Sequence, residues 1–298
     1  MTQQLAHAPV SVLGMGPMGR AIAGAFLAAG HPTTVWNRSA GKAGELVARG
    51  AVLAGGPLAA FEAADLAVVC VIDANAVEAI LDQARAESGG RLPATTLVNL
   101  TSDGPGRTRE LAAKANAFGL RYLDGAIMTP AAAIGTEGTR VLYSGPEGLF
   151  ERHRRALAAL GGTAVHLGDD PGTAAGFDVA LLNLFWTSIA GLMHSFALAA
   201  RQNVPATALA PHAQQMAGLV AELLPGLAAD IDAGRFSGAD SASLTSAAAS
   251  LGHIVHVLEE SGVPAALTRT AKETVEAAVW AGHGADAPVR LAEFLSRT

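Results

Sequence analysis

The stretch Val10-Ser11-Val12-Leu13-Gly14-Met15-Gly16-Pro17-Met18-Gly19 decides the fold. A short apolar run of strand character enters a G-x-G-x-x-G turn, and residues 19–29 continue with the apolar spacing of a helix. A strand that feeds a glycine turn and then a helix is the arrangement that cradles a dinucleotide pyrophosphate. Gly14 permits the tight turn, Gly16 lets the backbone approach the phosphates, and Gly19 lets the helix pack on the strand. The phosphates then lie against the helix N-terminus, where free N–H groups and the helix dipole favour negative charge. Met15, Pro17 and Met18 fill the intervening positions and belong to the same expected contact surface.

Working outward, further strands are expected over residues 33–36, 66–72, 96–99, 121–124 and 140–143, and a helix over 42–49. Strands alternating with helices imply right-handed crossovers and a mostly parallel sheet. The rhythm stops at the turn cluster Gly168-Asp169-Asp170-Pro171-Gly172. Beyond it the pattern is helical: one long helix over 173–200, then helices near 206–224, 242–260, 265–281 and 287–294. Pro205, Pro264 and Pro288 sit where first helical turns accept proline. The expected architecture is an α/β N-terminal Rossmann domain (1–168), a long interdomain helix (169–201) and an all-α C-terminal helical domain (202–298).

Composition narrows the class. Half of the 298 residues are hydrophobic and only 15% are charged, against about a quarter in an ordinary soluble domain. So little charge implies a large covered surface, and an obligate oligomer supplies one. The segment 179–200 is apolar enough to raise a membrane span. It carries Asn183, Thr187, Ser188, His194 and Ser195, with no basic cluster at either end, and is expected to be surrounded by protein instead. The net charge of −6, without a basic stripe, argues against nucleic acid. Residues 1–8 lack the pattern of a signal peptide and read as a short disordered tail. Cys70 is the sole cysteine, which excludes an intrachain disulfide and fits a reducing cytoplasm. His194, His253 and His256 form no metal-binding pattern, and Ser102 and Ser144 read as plain loop serines.

The end of the second strand selects the dinucleotide. A carboxylate there would bond the ribose 2′-hydroxyl of NAD. The run Trp36-Asn37-Arg38-Ser39 has none, and Lys42 follows closely. Arg38 and Lys42 can neutralise a 2′-phosphate while Asn37 and Ser39 hydrogen-bond it, which points to NADP(H). Ligands gather at the carboxyl ends of parallel strands. Cys70, Val71 and Ile72, and then Asn99 and Thr101, end the third and fourth strands and are candidate cofactor contacts or ordinary turn residues.

The runs G-M-G-P-M-G (14–19), T-V-W-N-R-S (34–39), C-V-I-D (70–73), V-N-L-T-S (98–102), Y-L-D-G-A-I-M-T-P (122–130) and V-L-Y-S-G-P (141–146) resemble the imine reductases, relatives of the β-hydroxyacid dehydrogenases. The resemblance covers nearly the whole chain and is most specific over residues 11–196. It implies NADPH-dependent reduction of cyclic imines, in some members reductive amination of a ketone with an amine. It also implies a domain-swapped homodimer whose active site lies between the Rossmann domain of one subunit and the helical domain of the other.

The β-hydroxyacid dehydrogenases carry a lysine on the interdomain helix, after a glycine-rich lead-in. Here the lead-in is Gly172-Thr173-Ala174-Ala175-Gly176-Phe177, and the matching residue is Asp178. Reducing a ketone builds negative charge on oxygen, which a cation stabilises. Reducing an iminium starts from positive charge on nitrogen, which a carboxylate stabilises. The resemblance therefore makes Asp178 the catalytic candidate and favours C=N over C=O. Read alone, Asp178 is better explained as a helix N-cap or first-turn acid, and only the resemblance reverses that preference. The proton source stays open between Asp178 and water. Trp186, two turns on, stands where some relatives carry a tyrosine; its indole can donate a hydrogen bond but cannot release a proton near neutral pH. The resemblance places Asn99 and Thr101 near the nicotinamide and Ile127, Met128 and Leu182 near the substrate. Trp186, Met216 and Leu219 are candidate pocket walls, with core packing as the alternative. Two other functions remain compatible with the sequence: a hydroxyacid-type dehydrogenase lacking its lysine, and a non-catalytic NADP(H)-binding sensor.

Overall fold

A computed structural model of the chain describes residues 7–238 and 242–297; most of the tail expected over residues 1–8 therefore lies outside the described residues. The strands are β1 (Val10–Leu13), β2 (Thr33–Trp36), β3 (Val52–Leu53), β4 (Leu66–Val69), β5 (Thr96–Asn99), β6 (Arg121–Ile127), β7 (Arg140–Ser144) and β8 (Thr163–His166). They form one sheet in the order β3-β2-β1-β4-β5-β6-β7-β8. Neighbours pair in parallel except β6 and β7, which are antiparallel with Asp124 opposite Ser144. β1 is central and buried at all four positions. Its chain reverses strand order between β2 and β4, so the crevice for a ligand opens at its carboxyl end, at the glycine turn.

Alternation along the strands sorts the core into two layers. Val10, Val12, Val68, Val98 and Leu123 face one layer, with Ile22 and Phe26. Leu13, Ala67, Val69, Leu97 and Tyr122 face the other, with Phe61, Val77 and Leu111. The covering helices are α1 (Pro17–Ala28), α2 (Gly44–Ala48), α3 (Pro57–Glu62), α4 (Ala74–Glu87), α5 (Pro105–Phe118) and α6 (Glu147–Leu157).

Several expected boundaries shift for identifiable reasons. α1 starts two residues early because Pro17 occupies a first-turn position that needs no N–H. The helix expected over 42–49 becomes a 3-10 turn, Ala40–Ala43, followed by the short α2; Gly41 and Gly44 weaken a continuous helix there. β4 ends at Val69, not at residue 72, which frees Cys70, Val71 and Ile72 to form a loop. β3 and β8 are not expected from the sequence: β3 is only two residues long, and β8 carries a polar residue at each end, so neither gives a readable apolar run.

The remaining helices are α7 (Gly172–Arg201), α8 (Ala206–Asp232), α9 (Leu244–Glu260), α10 (Ala266–Ala278) and α11 (Arg290–Arg297). The chain divides into two compact units between Asn183 and Leu184, within α7. In the second unit α9 and α10 pack through Leu244, Val275 and Ala278, and Leu258, Val263 and Ala265 form a smaller cluster with Leu198. α8 runs through Pro211 and Pro225, eight residues past the expected end at 224. Its apolar series Leu219, Leu223, Leu227 and Ile231 continues at four-residue spacing across Pro225, and all four are exposed. α7 is long and apolar enough to cross a membrane by length and composition alone, and only 6% of that stretch is buried.

His153 of α6 is buried, with Nε2 2.9 Å from Thr96 Oγ1 on β5. Burial lowers its pKa to about 4, and Arg152 and Arg121 push the same way. The unfolded chain binds this proton at about 6.5. The neutral ring therefore contributes stability that is full above pH 6.5 and is lost as pH falls towards about 4. Urea unfolding of the native chain is expected to show this loss, and His153→Gln, which does not titrate, to have a flatter profile over the same window. Parallel profiles would remove His153 as the cause.

Candidate active site

The glycine turn is fixed by close backbone approach. Gly14 has φ +104°, and a Cβ there would lie 2.2 Å from the Cys70 carbonyl oxygen. A Cβ on Gly19 would lie 1.8 Å from the Gly14 carbonyl oxygen. Neither position admits a side chain. Gly16 differs: a Cβ there would meet nothing within 4 Å. That open space at the start of α1 is where the backbone can meet a pyrophosphate. Gly16 also gives α1 no side-chain cap, so first-turn N–H groups stay available to an anion.

Around the turn lies a cleft of about 490 Å³. Its walls contain Gly14, Met15, Gly16, Pro17, Met18 and Gly19, then Asn37, Arg38, Ser39 and Lys42, then Cys70, Val71 and Ile72. Arg38, Ser39 and Lys42 are exposed. Ile72 is 88% exposed, an apolar side chain offered to the cleft. Cys70 is half-buried, and burial pushes its thiol up to about 11, which leaves it uncharged beside an anion site. Asn37 does more than line the wall: its Oδ1 accepts from the Met15 N–H at 2.9 Å, and its Nδ2 donates to the Ser39 carbonyl at 2.9 Å. Its amide thus braces the turn, and Arg38 and Lys42 carry the charge for a 2′-phosphate. Trp36 and one face of α4, with Ala76, Ala79, Ile80 and Gln83, complete the lining. These five were missed. The i, i+3, i+4, i+7 spacing of the α4 residues was readable as one helix face, but which face meets the cleft depends on the packing of α4 against the sheet.

Asn99 and Thr101 stand outside the cleft lining and are buried. Their hydrogen bonds support it from behind. Thr101 Oγ1 accepts from the Val71 N–H at 3.1 Å, and Asn99 Oδ1 accepts from the Thr101 N–H at 3.1 Å. Asn99 Nδ2 donates to the Tyr122 hydroxyl at 3.0 Å and to Asp124 Oδ1 at 3.3 Å, and the Tyr122 hydroxyl donates to Asp124 Oδ1 at 3.1 Å. Burial holds the Asp124 carboxyl well above the usual carboxylate range; the two hydrogen bonds oppose that rise, and the nearby Asp178 carboxylate adds to it. Asp73 and Asp103 tie the same loops: Asp73 Oδ1 caps α4 by accepting from the Ala76 N–H at 2.8 Å, and Asp103 Oδ2 accepts from the Ala74 N–H at 3.2 Å.

Asp178 is on α7 and 5% exposed. α7 begins at Gly172, nearly two turns earlier, so Asp178 does not cap that helix. The Ser102 hydroxyl donates to Asp178 Oδ2. Reading Ser102 as a plain loop residue is therefore corrected, and so is that reading of Ser144. Ser144 Oγ donates to the Pro171 carbonyl at 2.9 Å and accepts from the Ala174 N–H at 2.9 Å, which anchors the first turn of α7. Neither role had a signal in the sequence, since each partner lies far along the chain. Asp170 adds a second anchor by accepting from the Gly172 N–H at 3.0 Å and from Arg109 at 2.9 Å and 2.6 Å. The Arg109 guanidinium and the Gly172 N–H hold its carboxyl down at about 2. A Cβ on Gly172 would lie 2.6 Å from the Arg109 guanidinium carbon, so this lead-in glycine makes room for the ion pair.

Ile127 ends β6 half-buried, and Met128 follows, its N–H donating to the Arg140 carbonyl at 2.9 Å. Leu182 is 37% exposed on the part of α7 that belongs to the first unit. Trp186, Met216 and Leu219 belong to the second unit and are exposed, Trp186 with its ring edge-on to Phe185 at 5.2 Å between centroids. The first unit thus gathers the dinucleotide cleft, the Asn99 network and Asp178.

Two family models match in tandem. The NAD binding domain of 6-phosphogluconate dehydrogenase matches residues 9–168, and the NADPH-dependent reductive aminase-like C-terminal domain matches residues 170–297. The chain is 32% identical over 289 residues to the NADPH-dependent reductive aminase of Aspergillus oryzae, covering 96% of both. Among solved structures, the imine reductase from Myxococcus stipitatus in complex with NADP+ superposes with a TM-score of 0.90 at 32% identity, covering 96% of this chain and 99% of that one. The reductive aminase from Aspergillus terreus in complex with NADPH and ethyl-5-oxohexanoate superposes with a TM-score of 0.88 at 34% identity, covering 97% and 99%. Likeness at this level runs through both units, and the chain belongs to the family of imine reductases and NADPH-dependent reductive aminases.

Proposed function

We propose that the chain is an NADPH-dependent imine reductase that converts cyclic imines or iminium ions to amines and accepts a ketone with an amine as an alternative entry. The observation that carries this reading is a buried aspartate, Asp178, on α7, where a ketone-reducing relative would carry a lysine. The cleft fits a phosphorylated dinucleotide: Gly16 leaves room for the pyrophosphate, uncapped N–H groups of α1 face it, and Arg38 and Lys42 border the 2′-phosphate end. Bound NADPH supplies the hydride. Ile72 and Val71 exclude water from one side of the cleft. Asp178, oriented by the Ser102 hydroxyl, stabilises the protonated nitrogen of the substrate. The proton comes from Asp178 or from a water it holds.

Residues 1–168 form the cofactor domain in this reading, 169–201 the interdomain helix, and 202–298 the helical dimerisation and substrate domain. A second copy of the chain covers the apolar faces of α7 and α8 in a domain-swapped homodimer, and Leu182, Trp186, Met216 and Leu219 then become pocket walls. Exposed Leu223, Leu227 and Ile231 support a covered face. Lack of a disulfide supports a cytoplasmic location.

NADPH oxidation with 2-methyl-1-pyrroline tests the chemistry. Native turnover is expected, with Asp178→Asn and Asp178→Lys each losing about a hundredfold in kcat while still binding NADPH. Oxidation of a β-hydroxyacid without imine turnover would replace this reading with a hydroxyacid dehydrogenase. Arg38→Ala is expected to raise the Kd for NADPH by about tenfold or more and to leave that for NADH nearly unchanged; equal effects on both would displace Arg38 from the 2′-phosphate. Light scattering is expected to give twice the chain's mass for the native protein and a smaller species for Leu223→Arg/Leu227→Arg; a native monomer would refute the dimer.

A further inference from the structure

We infer that Asp124, together with Tyr122, is a positioning element that sets both the cofactor wall and the catalytic carboxylate, acting through the turn that follows β5. This rests on the imine reductase reading of Asp178. Asp124 is 2% exposed and touches neither the cleft nor solvent to any useful extent. Its Oδ1 accepts from Asn99 Nδ2 and from the Tyr122 hydroxyl, which itself accepts from Asn99 Nδ2. Both amide protons of Asn99 thus have acceptors on β6, and the amide can face only one way. That orientation aims Asn99 Oδ1 at the Thr101 N–H. The turn then makes two outward connections. Thr101 Oγ1 holds the Val71 N–H, and Val71 is part of the cleft wall. Ser102, the next residue, donates to Asp178.

The chemistry suits the place. A buried amide rotor with unsatisfied protons could flip, and a flipped Asn99 would present a donor to the Thr101 N–H and lose that bond. An acceptor behind the amide prevents this. Burial, first of all, raises the Asp124 carboxyl well above the usual range, which weakens its repulsion of the Asp178 carboxyl nearby. The arrangement requires one acceptor oxygen at this place, which Asn at position 124 can supply and Ala cannot.

The test is a double-mutant cycle in the full-length protein with 2-methyl-1-pyrroline and NADPH. Tyr122→Phe removes only the hydroxyl at the centre of the network, and Ser102→Ala removes only the donor to Asp178. Each is expected to lower kcat about fivefold to twentyfold at unchanged circular dichroism. The double variant is expected to lose little more than the larger single loss, because both changes release the same carboxylate. Asp124→Ala is expected to match Tyr122→Phe, and Asp124→Asn to recover most of the native kcat. Tyr122→Phe is also expected to raise the Kd for NADPH about threefold, and Ser102→Ala to leave it unchanged. Losses of kcat that multiply in the double variant, or a Tyr122→Phe protein that loses thermal stability but keeps native kcat and Kd, would overturn the inference. If the native chain reduces no imine, the reading of Asp178 falls, and the NADPH measurements still decide whether the Asn99 turn sets the cofactor wall.

Discussion

The structure depends on one close backbone approach, the packing of the Gly14–Gly19 turn against the Cys70 carbonyl. A Cβ at Gly14 would lie 2.2 Å from the Cys70 carbonyl oxygen and one at Gly19 1.8 Å from the Gly14 carbonyl oxygen, both well inside van der Waals contact. Because the turn lies so close to the end of β4, β1 and β4 can end level with each other and α1 can start directly above them. The cleft is the space left in front of that contact. Its wall at Val71 and its floor at Gly16 are both placed by the same few atoms.

A second constraint is the burial of polar groups behind the cleft. Asp124, Asn99, Tyr122 and Asp178 are all buried in the first unit. Such groups persist only where each polar atom finds a partner. Here the partners come from the end of β5, the first half of β6 and the first two turns of α7, so the sheet and the start of the long helix meet through hydrogen bonds to side chains. Ser144 and Asp170 serve the same end by anchoring the start of α7. The position of Asp178 is thus set twice, by the helix start and by Ser102.

The apolar faces of α7 and α8 express a different constraint. α8 has no buried residue within the single chain, and its exposed leucines are the surface that the proposed dimer would cover. The low charge content and the exposed leucine series have the same origin: surface that folding of one chain leaves uncovered.

By itself the sequence determined the parts whose physics is local. The spacing of Gly14, Gly16 and Gly19 after a strand permits only a tight turn opening a helix, and the absence of a carboxylate after β2 beside Arg38 and Lys42 reflects charge that acts within a few residues. The length of α7 was legible because apolar composition and the lead-in glycines are also local signals. Tertiary structure alone decided the rest. Ser102 meets Asp178 across 76 residues, and Ser144 meets Ala174 across 30. Asn99 and Thr101 proved to support the cleft from behind, and Asn37 proved to brace the turn, because the competing acceptors and donors come from other strands. The helix face formed by Ala76, Ala79, Ile80 and Gln83 was a regular pattern whose orientation only packing could fix. A hydrogen bond between distant residues leaves no periodic trace in a sequence, since its free energy depends on a distance that exists only once the sheet has formed.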